Sequence, residues 1–458
     1  MKNIFKNRLA FILLTIVTIF SYSISSYSQI ILNRDQRIVN SNSKISPESL
    51  KTTIEDLVLF HTRHNMSSQD NDKKGIGAAA NYLENRLLQI TANNPGVIDV
   101  ERTEYTVGGK NSRIPYKITL PNIIATIKGV ERPNEHILML AHYDSRTQDN
   151  LDSTSFAPGA NDNGSGVAAL MEIAAILASN PLPVSVKLMF LSGEEHGLLG
   201  AAHMSKVALE KEWDVIAVLN NDMISNSQSS NTNNRNNTLL RVFSENIPYI
   251  ENGEMTRERI FNSSENDSPS RQLARYVKEI GERYVDNLEI KLIYRNDRFG
   301  RGGDHTPFSR NGFTAVRICE YYENYDRTHR ITEVKDGKEY GDVLKGVDID
   351  YLAKNTSVNL SVVMNLAHAP SLPINVYTDV SGLSNNTKIY WEQPSKGKLP
   401  FGYYLLVRET DSPVWQKKIF VKGTQIVVPY SKDNYFFAVQ SVSQEGNESL
   451  AVFSKGKR

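Results

Sequence analysis

The sequence predicts an α/β protein: a mostly parallel mixed sheet covered by helices on both faces, followed by a small all-β sandwich. Three observations carry this expectation. Strand-like and helix-like runs alternate over most of the chain, the pattern of parallel β-α-β units. Several of the strand-like runs end in acidic or histidine residues, and open α/β sheets carry their sites at the carboxyl ends of strands. Beyond Ala369-Pro370-Ser371-Leu372-Pro373 the helical period disappears and short alternating runs replace it.

A chain of 458 residues is too long for one ordinary core, so at least two domains are expected. Its balance of 40% apolar and 22% charged residues is that of a globular protein, and a formal charge of +1 points to no nucleic-acid partner. Lys2, Lys6 and Arg8 precede an apolar run, Leu9 to Phe20, and then small polar residues to Ser28. This reads as a secretory signal over residues 1–28, predicting an exported protein, periplasmic or extracellular, with no integral membrane segment once it is removed. Cys319 is the only cysteine, so no intramolecular disulfide forms, and packing or metal must stabilise the exported chain.

Residues 29–45 are polar and read as an extended arm. Ser46-Pro47 opens a helix with a capping serine and a first-turn proline, stapled by Ile45 and Leu50. A second helix spans about 76–90. Strands are predicted at 97–107, 122–129 and 137–141, then a helix at 166–178, a strand at 184–191, a helix at 198–209 and a strand at 215–220. The Asn- and Ser-rich stretch 225–237 reads as a mobile surface insertion. The alternation resumes with a strand at 239–243, a helix at 269–284, strands at 288–294 and 314–318, and a last helix at 348–366. The alternating domain is thus predicted over 46–369, and 370–458 forms the sandwich.

The chemistry centres on Gly193-Glu194-Glu195-His196-Gly197. Two adjacent carboxylates in a Gly-flanked turn after a strand can point in different directions, one to grip a metal and one to take a proton. Four further segments supply partners: His142 with Asp144 two residues on, Asp162 in the Gly-rich run 159–166, Asp222 after its strand, and His329. Two histidines and three carboxylates suit zinc. They are too many for one tetrahedral site with an open position, and suit two ions sharing a bridging carboxylate, about 3.5–4 Å apart.

These segments resemble the di-zinc exopeptidases, the secreted bacterial aminopeptidases related to glutamate carboxypeptidase and glutaminyl cyclase. The resemblance covers roughly residues 46–368, in family order. It implies two Zn2+ ions, with Asp162 bridging, His142 and Asp222 completing one, and Glu195 and His329 the other. It implies Glu194 as general base activating a bridging hydroxide, Asp144 as the residue orienting His142, and a cis peptide at Asp162-Asn163. His305, in an Asp-His pair, is expected to line the substrate pocket, and His196 to stay out of the metal site.

The resemblance leaves the carbonyl-polarising residue open among Tyr321, Tyr322 and Tyr325. Glu320 and Glu323 are candidates for holding a substrate ammonium, and Arg301 for a substrate carboxylate. Cys319 reads as buried packing. Loops 145–157, 225–238 and 296–312 are expected to shape specificity. The sandwich, with Trp391 in an early strand and Tyr435 entering a late one, resembles a fibronectin type III domain, for which surface or polymer binding is one role. The implied activity is release of N-terminal residues from peptides. A carboxypeptidase-type or glutaminyl cyclase-type relative, and a non-catalytic binding protein of the same fold, are the alternatives.

Overall fold

The structure, a computed structural model, describes residues 34–458. The signal segment read at 1–28 lies outside the described residues. The stretch expected to be an extended arm carries a helix, α1 (Gln36–Asn42). Asp35 caps it by accepting from the Arg37 amide at 2.9 Å, and Ile38 is buried in the main core. One apolar anchor and a good cap are enough to fold a segment whose overall composition is polar.

Two helices follow, α2 (Pro47–Val58) and α3 (Gly75–Asn93). The Ser46 hydroxyl accepts from the Ser49 amide at 3.1 Å, as its capping position predicts. An eight-stranded sheet and its helices come next. In chain order they are β1 (Ile98–Val107), β2 (Ile118–Ile127), β3 (Arg132–His142), α4 (Gly164–Ala178), β4 (Val184–Leu191), α5 (Leu199–Glu210) and β5 (Asp214–Asn221). Then follow β6 (Leu239–Ser244), α6 (Gly253–Asn262), α7 (Pro269–Tyr284), β7 (Glu289–Ile293), α8 (His305–Arg310) and β8 (Ala315–Glu320). A small hairpin of β9 (Glu333–Lys335) and β10 (Lys338–Tyr340) precedes the long helix α9 (Ile349–His368).

Strand order is β1-β2-β4-β3-β5-β8-β6-β7. The central run β4-β3-β5-β8 is parallel, while β1, β2 and the β6–β8 pairing are antiparallel. Residues of β3 alternate between the two faces. Ile137, Met139 and Ala141 join the large core under α2, α3, α4, α7 and α9. Leu138 and Leu140 pack on the other face against Ala201, Met204 and Phe308 of α5 and α8. From β3 the chain moves to β4 on one side and later to β5 on the other. The loops leaving these strands therefore part around a crevice at their carboxyl ends.

Residues 225–237 depart from the expected mobile insertion. Ser225, Asn226 and Ser227 are buried, with Ser225 donating to Asn161 and Asn226 to Glu320. Gln228 and the tip around Asn231 to Arg235 are exposed. Composition marked the tip correctly and missed the polar network that ties down its base.

The C-terminal part comprises β11 (Ile374–Asp379), β12 (Thr387–Glu392), β13 (Gly402–Glu409), β14 (Lys417–Val421), β15 (Gln425–Val428), β16 (Tyr435–Val442), β17 (Val452–Phe453) and β18 (Lys455–Lys457). They form two four-stranded sheets, β15-β12-β11-β18 and β14-β13-β16-β17. Trp391, Leu405, Val407, Phe437 and Val439 fill the core between them. This part packs tightly on the rest. Leu450 belongs to the large core, and the buried carboxylate of Asp267 accepts from Arg275 at 3.0 Å and from Arg408 of β13 at 2.7 Å.

Candidate metal centre

His142, the glutamate pair and Asp222 stand where a strand stops, whereas Asp162 lies in the turn before α4 and His329 in the segment after β8. His142 is the last residue of β3. Its Nδ1 lies 3.1 Å from the Asp144 carbonyl, the geometry of a donating N–H, which leaves the Nε2 lone pair facing the crevice. That Nε2 is buried and has no hydrogen-bond partner. Asp162 precedes α4, whose cap is Asn163. Asn163 accepts from the Gly166 amide at 3.0 Å and donates to the Asn221 carbonyl at 2.8 Å, joining the Asp162 turn to the end of β5. Asp222 follows β5 directly. The peptide between Asp162 and Asn163 is cis, as the resemblance implies.

The turn after β4 needs its glycine. Gly193 has φ +76°, and a Cβ there would lie 2.9 Å from both the Leu199 Cβ and the Tyr105 hydroxyl oxygen. The amides of Glu194 and Glu195 both point at the Asp144 carboxylate, at 3.3 and 3.1 Å. Asn65 donates to the same carboxylate at 2.6 Å. Asp144 thus holds the glutamate turn as well as lying beside His142 Nδ1, 3.5 Å away. These bonds fix the backbone of the glutamate turn.

The geometry converges on Asp162. Its Oδ1 is 3.3 Å from His142 Nε2 and its Oδ2 is 2.9 Å from His329 Nε2. Asp222 Oδ1 is 3.7 Å from His142 Nε2, and Glu195 Oε1 is 2.8 Å from His329 Nε2. Two groups of donor atoms follow, His142-Asp162-Asp222 and Asp162-Glu195-His329, each compact enough for one ion and sharing Asp162. A third grouping, His142-Glu194-Glu195, puts Glu194 beside both. The structure therefore brings all six predicted residues together.

Electrostatics show that this donor set suits a cation. Burial alone would lower the His142 pKa, but Glu194, Asp144, Asp162 and Asp222 outweigh it and hold the imidazole well above its usual range. His329 is likewise driven up to about 10, burial being outweighed by Glu195 and Asp162. Burial and the neighbouring Glu195, Asp222 and Asp304 carboxylates push Glu194 above the usual carboxylate range, against the pull of His142. A buried cluster this rich in carboxylates needs positive charge, and its nitrogen and oxygen donors are those of zinc.

Several supporting residues escaped the sequence reading. Arg146 donates to Glu195 Oε2 at 2.8 Å and reaches His329 Nδ1 at 2.9 Å. Arg317, fully buried, lies 3.2 Å from Asp222 Oδ2 and 2.9 Å from Asp297. Asp342 accepts from the amides of Asn161 and Asp162. Arg63 donates to the carbonyls of Tyr143 and Gly159. Only Arg146 had a signal, standing two residues after Asp144.

A cleft of about 810 Å³ opens over the cluster. Loops 145–157 and 296–312 line it as expected. Loop 225–238 does not, and Arg113, Tyr249 and residues 323–330 take its place. His305 does not line the cleft either. It is 3% exposed, and its Nε2 lies 2.8 Å from the Asn296 carbonyl, so it braces the loop that forms the wall. An Asp-His pair in sequence does not reveal which way the histidine faces. Of the three candidate tyrosines only Tyr325 reaches the cleft. Glu320 is buried and accepts from Asn161 and Asn226. Cys319 is fully buried, and burial raises its thiol to about 11. His196 stays out of the donor groups, its Nε2 lying 2.9 Å from the Asn150 carbonyl.

Comparison with known proteins matches residues 122–340 to the model of peptidase family M28, the span that holds the whole donor set. A protein named "Probable zinc metalloprotease" from Leptosphaeria maculans is 36% identical over 411 residues, 90% of this chain and 95% of that protein. The chain belongs to peptidase family M28. Another relative of this M28 chain, a "Probable zinc metalloprotease" from Pyrenophora teres f. teres, is 35% identical and covers 90% of the chain and 85% of its own length. These relatives are fungal, so they do not bear on the bacterial branch of the resemblance. The M28 chain is similar in fold to the LapA aminopeptidase of Legionella pneumophila, with a TM-score of 0.52, 16% identity, and coverage of 75% of this chain and 77% of that one. Among the described residues no helix is long and apolar enough to cross a membrane.

Proposed function

We propose that this M28 chain is an exported two-zinc exopeptidase that releases N-terminal residues from peptides. The observation that carries the two-ion reading is Asp162, whose two oxygens face different histidines 3.3 and 2.9 Å away. His142 and Asp222 would hold one ion and Glu195 and His329 the other, with Asp162 between. Bound zinc supplies Lewis acidity that polarises the scissile carbonyl and acidifies water. Glu194 lies beside both donor groups without being needed by either. It takes the proton from the attacking water and passes it to the leaving amine. Asp144 fixes Glu194 through the backbone, and Arg146 holds Glu195 and His329 in register.

The name of LapA, similar in fold, supports the aminopeptidase form of this reading. One observation favours a carboxypeptidase-type reading instead, the presence of Arg301 and other arginines in the cleft. Two facing four-stranded sheets around Trp391 support a fibronectin type III-like reading of 370–458. The test is zinc-loaded enzyme on peptides with free and blocked termini. The proposal expects stepwise loss of N-terminal residues and no cleavage when the N-terminus is acetylated. Cleavage of acetylated peptides from a free C-terminus would overturn the aminopeptidase form.

A further inference from the structure

The cleft has an unusual balance of charge. Apart from the donor set and Glu194, its charged side chains are six arginines, Asp297 and Glu323. Both acids are already occupied. Asp297 takes Arg317 at 2.9 Å, and Glu323 takes Arg241 at 2.7 Å and Arg298 at 2.6 Å. Arg146 is held by Glu195. The remaining four, Arg113, Arg301, Arg310 and Arg330, have no carboxylate partner among the described residues.

Two of the four touch only uncharged groups. Arg330 donates to the Gln148 amide oxygen at 2.9 Å, and the Arg310 guanidinium lies 5.8 Å from the centre of the Tyr249 ring. Arg301 and Arg113 are exposed to the cleft and to solvent. The four come from separate walls: the β1–β2 connection, the loop before α8, the end of α8, and the segment after His329. One solvated arginine means little. Four around a single concavity, with no free acid among them, sum to a positive field focused into the cleft. The floor does not cancel that field, because two divalent ions would balance Asp162, Glu194, Glu195 and Asp222. The acids that might have gripped a substrate ammonium, Glu320 and Glu323, are engaged elsewhere. Guanidinium groups match carboxylates in a paired, planar geometry.

We propose that Arg113, Arg301, Arg310 and Arg330 select peptides by a substrate carboxylate, making this an exopeptidase for anionic peptides. The proposal rests on the exopeptidase reading. The carboxylate has two possible sources, an acidic side chain or a free C-terminus of a short peptide, and one set of peptides separates them. Ala-Glu-Ala and Ala-Gln-Ala, each with a free or amidated C-terminus, are compared as substrates of the zinc-loaded enzyme. Their binding to zinc-loaded Glu194→Gln is measured by calorimetry.

The expected result is at least a tenfold preference, in kcat/KM and in affinity, for Glu over Gln or for the free terminus over the amide. The first preference assigns the side chain, the second the terminus. The double variant R301Q/R310Q is expected to shrink that ratio to below threefold while keeping its zinc content and melting temperature. Salt at 0.5 M is expected to shrink it in the wild type, as screening requires. Ratios near one in both turnover and binding overturn the proposal. Carboxylate-selective binding without hydrolysis of any peptide supports the selection and overturns the exopeptidase reading instead.

Discussion

At the scale of single residues, the proposed chemistry gives Asp162 and Glu194 separate parts. Asp162 faces two histidines at once, and Glu194 stands free beside them. Replacing Glu194 by Gln keeps the shape and removes the proposed base. Glu194→Gln is expected to retain full zinc while kcat falls by about 10²–10⁴, the usual range for a general base. Metal analysis beside steady-state kinetics checks this, and near-normal kcat in a zinc-replete variant contradicts it. The candidate ligands His142, Glu195 and Asp222 were legible because each stands at or just after the end of an apolar strand, and Asp162 and His329 because of the motifs around them. Arg146, Arg317, Asp342 and Arg63 were not, because tertiary contacts define them. The misreading of His305 has the same origin, since burial belongs to the fold and not to the motif.

A second residue, away from the site, gives a pH test. Glu245 follows β6 and is buried, with one oxygen near the Ser270 hydroxyl at 3.3 Å and the other unpartnered. Burial raises its carboxyl to about 7. A raised pKa means the folded state binds the proton more tightly than the unfolded chain, whose carboxyl titrates near ~4.3. The stability linked to that proton is present below pH ~4.3 and lost as pH rises through 7. Glu245→Gln is therefore expected to be more stable than wild type at pH 8, by on the order of 2 kcal/mol, with the gap vanishing near pH 4. Thermal melts at the two pH values check this, and an equal gap at both contradicts it.

At the scale of elements, the site depends on how closely α4 starts against the end of β5. A Cβ on Gly166 would lie 2.5 Å from the Asn221 carbonyl oxygen and 2.6 Å from Asn163 Oδ1. Alanine normally gains up to about 1 kcal/mol over glycine within a helix. Here the collision outweighs that gain, and overpacking costs about 1–3 kcal/mol. Gly166→Ala is expected to lower both the melting temperature and zinc affinity, because Asp162 and Asp222 flank the junction. Chelator competition reads the affinity, and an unchanged value contradicts this coupling. The strand ends were legible since apolar runs stop abruptly there. Helix α6 was not, having no buried residue, and α8 is only six residues long. Strand β2 begins before Pro121, whose carbonyl accepts from the Tyr143 hydroxyl at 2.7 Å.

At the scale of the whole molecule, the C-terminal sheets are more than an appendage. The helical period ends at 369–373, yet Ala369 is buried and its carbonyl accepts from Arg132 at 3.0 Å. Asp267 pairs with Arg275 of α7 and Arg408 of β13 inside the junction. Asp267→Ala leaves two buried arginines without their acid and is expected to cost about 3–5 kcal/mol. Urea unfolding reads the loss, and a change under about 1 kcal/mol would show that water or other acids already compensate. Two layers of strands could be read from alternation, but their docking could not. It depends on charges more than a hundred residues apart in sequence.

These scales meet in the shared carboxylate, so zinc stoichiometry tests the account most directly. Wild type, Asp162→Asn and His329→Ala are each loaded with zinc, freed of excess metal, and measured for zinc per chain by mass spectrometry. The account predicts two ions in wild type, about one in His329→Ala, and fewer than one in Asp162→Asn. A wild-type ratio near one, unchanged in His329→Ala, would contradict a bridged pair and reopen the single-zinc, glutaminyl cyclase-type alternative.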